Sequence, residues 1–151
     1  MHKKHPKLGL MLFSLCFLIA CEPKVDTKPA PLAVDNSLCN FYAGACSKNV
    51  NEIEVQLSFA QAMAPSERPI DLTLTFSDEV SEVKMSVEGR DMFMGVIPVI
   101  LKTEDQQTYQ AQLIYGSCSS GYMVWRANVT FDYQGVSRQV WFDFLADAQA
   151  H

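Results

Sequence analysis

Alternation of apolar and polar residues at a period of two runs through the chain from Asn51 onward and narrows its fold more than any other feature. Ile53, Val55, Leu57 and Phe59 alternate with Glu54, Gln56 and Ser58; Ile70, Leu72, Leu74 and Phe76 alternate with Asp71, Thr73 and Thr75. Val83, Met85 and Val87 continue the pattern, as do Met123, Trp125, Ala127, Val129, Phe131 and Tyr133, and finally Val140, Phe142 and Phe144. In an extended chain this period sends one set of side chains to a core and the other to water. Each run is therefore half-buried, the habit of antiparallel sheets. Ala64-Pro65-Ser66-Glu67-Arg68-Pro69 and Ser77-Asp78-Glu79 supply turns, and Tyr133-Gln134-Gly135-Val136 reads as a hairpin tip. Val96 to Leu101 is nearly all apolar and reads as a central strand, with Pro98 at an edge position or bulge. Gln107 to Tyr115 supplies one more strand. The sum is about seven strands at short spacing, which predicts an all-β, immunoglobulin-like antiparallel sandwich. Trp125 fits the large buried aromatic of its core. Trp141 points opposite to Val140 and Phe142 and is a candidate for a partner-binding patch.

The N-terminal segment is different. Met1 to Lys7 is basic and Leu8 to Ile19 is apolar apart from Gly9 and Ser14. That run is too short for a membrane span, which takes about 20 residues, and it fits the apolar core of a secretory signal. It ends in Leu18-Ile19-Ala20-Cys21, which resembles a bacterial lipobox: aliphatic, tolerant, small, then Cys. The resemblance implies cleavage before Cys21 and diacylation of its sulfur, so that Cys21 becomes the lipidated N-terminus. Two or more acyl chains hold a protein on a membrane as one chain does not. No later segment is apolar enough to cross a bilayer. Glu22 after the lipidated Cys implies, by resemblance to enterobacterial lipoproteins, transfer to the outer membrane on its periplasm-facing side. The expected organisation is a signal peptide over 1–20, Cys21 and a flexible linker through 37 rich in Pro and charge, a sandwich over 38–147, and a tail over 148–151.

Cleavage would remove Lys3, Lys4 and Lys7 and take the formal charge from -5 to about -8. An acidic domain is repelled by nucleic acid, so no nucleic-acid partner is expected. The three histidines are His2, His5 and His151, which leaves none inside the folded domain. A Ser-His-Asp or Cys-His nucleophile and a His-rich zinc or copper site are not available. Phosphate- and dinucleotide-binding glycine motifs are absent. The expectation is a protein that is not an enzyme: a binding or envelope-assembly accessory with an envelope protein as partner.

Cys39, Cys46 and Cys118 remain after the signal and the lipidated residue, in a compartment where disulfides persist. A Cys39–Cys46 bridge closes a local loop. A bridge from either of them to Cys118 closes more than 70 residues and contributes ~4 kcal/mol in the loop-entropy model; this long staple is the favoured expectation. The alternative function joins thiol to thioether. Met92 and Met94 stand two apart and on an extended chain face one side, and Met123 lies near Cys118. Soft ligands of this kind select Cu(I). Met92, Met94, Cys118 and Met123 are thus candidate Cu(I) ligands, with core or edge packing as the competing reading of the methionines.

Met92-Phe93-Met94-Gly95, the apolar strand after it, Tyr109-Gln110-Ala111 and Gly121 to Trp125 together resemble the FixH/YtkA-like group of small membrane-tethered, immunoglobulin-like bacterial domains, over residues 70–145. FixH-type proteins are linked to assembly of copper-containing oxidases, and the resemblance implies that neighbourhood. This chain departs from the group in lacking a transmembrane helix and in its additional cysteines.

Overall fold

A computed structural model describes residues 35–119 and 121–149. The signal segment, Cys21 and the linker as far as residue 34 lie outside the described residues. Ten strands follow one another: β1 (Leu38–Cys39), β2 (Cys46–Val50), β3 (Ile53–Phe59), β4 (Ile70–Phe76), β5 (Ser81–Gly89), β6 (Val96–Val99), β7 (Lys102–Thr103), β8 (Thr108–Leu113), β9 (Val124–Tyr133) and β10 (Val136–Leu145). They form two five-stranded sheets, ordered β1-β10-β9-β5-β6 and β2-β3-β4-β8-β7. Every pairing is antiparallel except β1 with β10. With β3, β4, β8, β7 in the places of A, B, E, D and β10, β9, β5, β6 in the places of G, F, C, C′, the order is that of an immunoglobulin sandwich.

The alternating runs form the inner faces. Ile53, Val55, Leu57, Ile70, Leu72 and Leu74 of one sheet meet Val87, Ala127, Val129, Phe142 and Phe144 of the other, all buried. Trp125 is buried against Tyr115, with ring centroids 4.9 Å apart. Phe41 stacks on Phe59 at 4.2 Å, and Phe59 meets Phe144 edge-on at 5.0 Å. The β9–β10 turn is Gln134-Gly135, and both residues have positive φ, 51° and 78°. That is the two-residue hairpin geometry whose twist matches the strands it joins, and Gly at its second position adopts it without steric cost.

The structure departs from expectation in one strand's place, in three additional strands and in the disulfide. β6 is an edge strand, not a central one; Pro98 sits on it, where a missing N–H costs no ladder bond. β1, β2 and β7 add to the expected seven strands; β1 and β7 are two residues each, and β2 (Cys-Ser-Lys-Asn-Val) carries no apolar alternation because it is an edge. The disulfide joins Cys39 to Cys46, with Cα atoms 5.4 Å apart, in place of the long staple to Cys118. Its sequence separation is short, but Cys39 belongs to one sheet and Cys46 to the other. The intervening segment carries Phe41 into the core as the chain changes sheets.

Strand direction gathers five segments at one end of the sandwich: the β1–β2 segment (40–45), the β3–β4 loop (60–69), the β5–β6 loop (90–95), the β8–β9 loop (114–123) and the chain after β10. They are stitched together by backbone bonds. The amides of Asp147 and Ala148 donate to Ala64 and Met63, and that of Glu67 donates to the carbonyl of Tyr115. The Tyr115 hydroxyl also donates to the Ala64 carbonyl.

Candidate functional site

The hairpin tip sets the register of β9 and β10, and that register builds the outer face of their sheet. Counting back from Tyr133 opposite Val136 places Arg126 opposite Asp143 and Asn128 opposite Trp141. On the other side of β9, Glu88 faces Arg126 and Ser86 faces Asn128. The outward residues of three strands therefore form polar rows across the sheet.

Asp143 is the anchor of the first row. It is only 6% exposed although it points away from the core, because β1 runs beside it, with Leu38 as its neighbour. A carboxylate so enclosed needs charged partners. Arg126 grips it with two bonds, Nε to Oδ1 at 2.7 Å and Nη2 to Oδ2 at 2.8 Å, and Arg90 stands 3.7 Å away. The bond to Asp143 raises the Arg126 pKa further, so this cation is permanent. Its guanidinium carbon lies 5.7 Å from the centroid of the Trp141 ring, within cation–π range. Trp141 is still 52% exposed. Asn128, opposite Trp141, donates to Glu88 at 2.9 Å. The result is a flat aromatic surface whose neighbouring cation is fixed from beneath.

Arg90 extends the network to the point where the described chain begins. Its Nη1 lies 2.9 Å from Asp35 Oδ2, and Nε and Nη2 bond Asp91. The hydroxyl and backbone amide of Ser37, then Arg90, hold the Asp35 carboxyl down to about 2. Asp91 and Asp35 push the Arg90 pKa up. An open groove of about 390 Å³ follows the other flank of Trp141, between β10 and the β2 edge, lined by Lys48, Asn49, Val50, Asn51 and Gln139.

The candidate soft ligands fall elsewhere. Met92 and Met94 lie in the β5–β6 loop, not on a strand, so the extended-chain argument that set them on one side does not apply. Both are exposed, and Phe93 between them is 80% exposed. Cys118, half-buried, lies in the β8–β9 loop at the same end of the sandwich and is not part of the disulfide. Met123 is buried, and its methyl is aimed at Gly89: a Cβ built on Gly89 would stand 2.5 Å from it and 2.0 Å from the Met92 carbonyl oxygen. Met123 is thus a packing residue against the base of the loop. Among the described residues no group of three or more His, Cys, Asp or Glu is placed to hold a metal ion. Sequence reasoning singles out Trp141 as a candidate, and the structure places it half exposed on the outer face; Arg126, Asp143, Arg90 and Asp35 escape that reasoning. The first two were within reach, since the hairpin tip alone sets them opposite one another.

No family model and no curated protein matches this chain. Among solved structures it is similar to a DUF4785 family protein from Legionella pneumophila, at 12% identity and a TM-score of 0.48. The match covers 62% of this chain and 28% of the Legionella protein, so this chain spans well under half of that protein's length.

Proposed function

We propose that this chain is a periplasm-facing lipoprotein, anchored to the outer membrane through acylated Cys21, whose sandwich is a non-catalytic binding or assembly module for another envelope protein. The observation that carries the binding role is Trp141, half exposed on an open sheet face beside a guanidinium that Asp143 already holds in place. Trp and Arg supply a large share of the energy at protein interfaces, and a pair that is ordered before contact loses little freedom on binding. The groove between β2 and β10 gives a partner side chain a recess next to the ring. The lipobox resemblance supports the anchor and the location.

The test is crosslinking in intact envelopes with the wild-type chain and Trp141→Ala. Trp141 projects from the outer face, so the variant keeps its core. Loss of one discrete crosslinked partner is the expected result. A folded variant that keeps every partner refutes this contact surface.

One observation favours a second reading, Cu(I) binding. The fold brings Met92, Met94 and the loop of Cys118 to the same end of the sandwich. Met123 packs its methyl on Gly89 at the base of the same loop. An anaerobic Cu(I) titration in which Met92→Leu with Met94→Leu leaves affinity unchanged removes this reading.

A further inference from the structure

The β5–β6 loop carries a contiguous apolar surface that the partner reading does not use. Phe93 is the most exposed large apolar side chain among the described residues, flanked by exposed Met92 and Met94 and followed by exposed Val96. Grouped exposure of this kind marks an interaction site more often than scattered single residues do. The base of the loop is built to hold a shape. Gly89 lets the Met92 carbonyl approach so closely that any side chain there would collide with it. The Arg90 amide donates to the Val124 carbonyl at 2.9 Å, and its guanidinium is fixed by Asp91 and Asp35.

The contact with Asp35 indicates what this loop faces. Asp35 is the first described residue, and it is ion-paired to the residue two before Met92. Only residues 22–34 separate it from Cys21. A chain of that length spans at most about 50 Å even when fully extended. The loop is therefore within tether reach of the surface that carries the acyl chains. The charge at its base selects the kind of surface. Arg90 is matched by two carboxylates, Asp35 and Asp91, which leaves a net negative rim that disfavours anionic headgroups.

We propose that Met92, Phe93 and Met94 insert into the zwitterionic interface of the bilayer that holds the N-terminal anchor, docking the loop end of the sandwich on the membrane. Phe and the unbranched, flexible Met side chains suit the boundary between headgroups and acyl chains. The docked domain then presents its sheet faces, including Trp141, sideways to partners. This inference rests on the lipid-anchor reading.

The test uses the full chain, made with its own signal, purified from membranes and placed in phosphatidylethanolamine–phosphatidylcholine vesicles with or without bromine near the headgroup end of the acyl chains. Intact mass and vesicle flotation report the anchor. Tryptophan quenching in Phe93→Trp, compared with wild type, reports the loop, and Met94→Trp gives a second reporter should the first disturb folding. Quenching by bromolipid that exceeds the wild-type background by about two-fold or more is expected in both variants. An acylated, floating protein whose introduced tryptophans are quenched no more than wild type overturns the docking and leaves the anchor standing. So does a concentration-dependent crosslink between two copies through the loop without quenching, which assigns the surface to self-association. A chain that carries no acyl group and fails to float overturns the anchor, and the docking falls with it.

Discussion

Reducing the Cys39–Cys46 bridge should lower stability by about 2.4 kcal/mol. The cysteines are separated by 7 in sequence, so the cross-link closes a loop of roughly eight residues, and the loop-entropy relation then gives about -8 cal/mol/K, or about 2.4 kcal/mol at 25 °C. A bridge from Cys39 or Cys46 to Cys118 would give more than about 4 kcal/mol by the same relation. Native enthalpy adds little in either direction, since β1 and β2 keep their own ladder partners, β10 and β3, when the sulfur bond opens. The assay is urea unfolding of oxidised and reduced protein, followed by tryptophan fluorescence of buried Trp125. At a slope of about 2 kcal/mol/M for a domain of this size, the midpoint should fall by about 1 M. Cys118→Ser should show the same difference between its oxidised and reduced forms. A loss above about 4 kcal/mol, or one that disappears in Cys118→Ser, refutes the local bridge. A loss under about 0.5 kcal/mol refutes the premise that the bridge constrains the unfolded chain.

Two further outcomes follow from the hydrogen bonds at the loop end. Tyr115→Phe should cost about 1 kcal/mol and no more than about 2, because the Ala64 carbonyl loses the phenol but keeps the Asp147 amide at 3.0 Å; a loss above about 3 kcal/mol in urea unfolding refutes the shared-acceptor argument. Burial, then the nearby Asp147 charge, pushes the Tyr115 phenol up, so the effect should be flat across neutral pH. Asp35 titrates at about 2 when folded, below its ordinary 3.8. The folded state therefore binds fewer protons at this group, and its clasp on Arg90 is fully present above about pH 4 and is lost as pH falls through 2. An NMR titration of the Asp35 carboxyl should find that low midpoint and see it rise in Ser37→Ala; a midpoint near 4 in the wild-type chain refutes the clasp.

The five runs of alternation were legible because each lies on an inner face where a one-residue slip would expose its whole apolar set. They emerge as β3, β4, β5, β9 and β10. β2 was not legible because its inward set is Cys46, Lys48 and Val50, with a charged residue at its centre, so its half-buried alternation does not show as an apolar one. The disulfide was misjudged for a related reason. Cys39 and Cys46 look like the ends of a trivial loop until the chain is seen to leave one sheet and enter the other between them. Sequence spacing measures distance along the chain, whereas this bridge acts across the sandwich. Met92 and Met94 share a side only on the premise of an extended chain, in which residues two apart face the same way. The close approach at Gly89 and the positive φ of Gly95, 86°, instead turn the segment into a loop that exposes all three side chains.

The charged cluster on the outer face is better understood as a positioning device than as a source of stability. Burying Asp143 costs several kcal/mol before any partner is counted, and ion pairs in such settings seldom return more than an apolar replacement would. What the cluster supplies is geometry that an apolar row lacks. Asp143 takes Arg126 on one side, in a two-bond grip that leaves the guanidinium plane a single orientation beside Trp141. It lies within 3.7 Å of Arg90 on the other, and Arg90 in turn holds Asp35 and Asp91. One enclosed carboxylate thus connects three features: the aromatic surface, the base of the Met92-Phe93-Met94 loop, and the point where the chain enters the sandwich. β1 is what encloses it, and the disulfide ties β1 to the opposite sheet. The covalent bridge and the ionic cluster therefore meet at one two-residue strand, which pairs with β10 beside Asp143 and is linked through Cys39 to the opposite sheet.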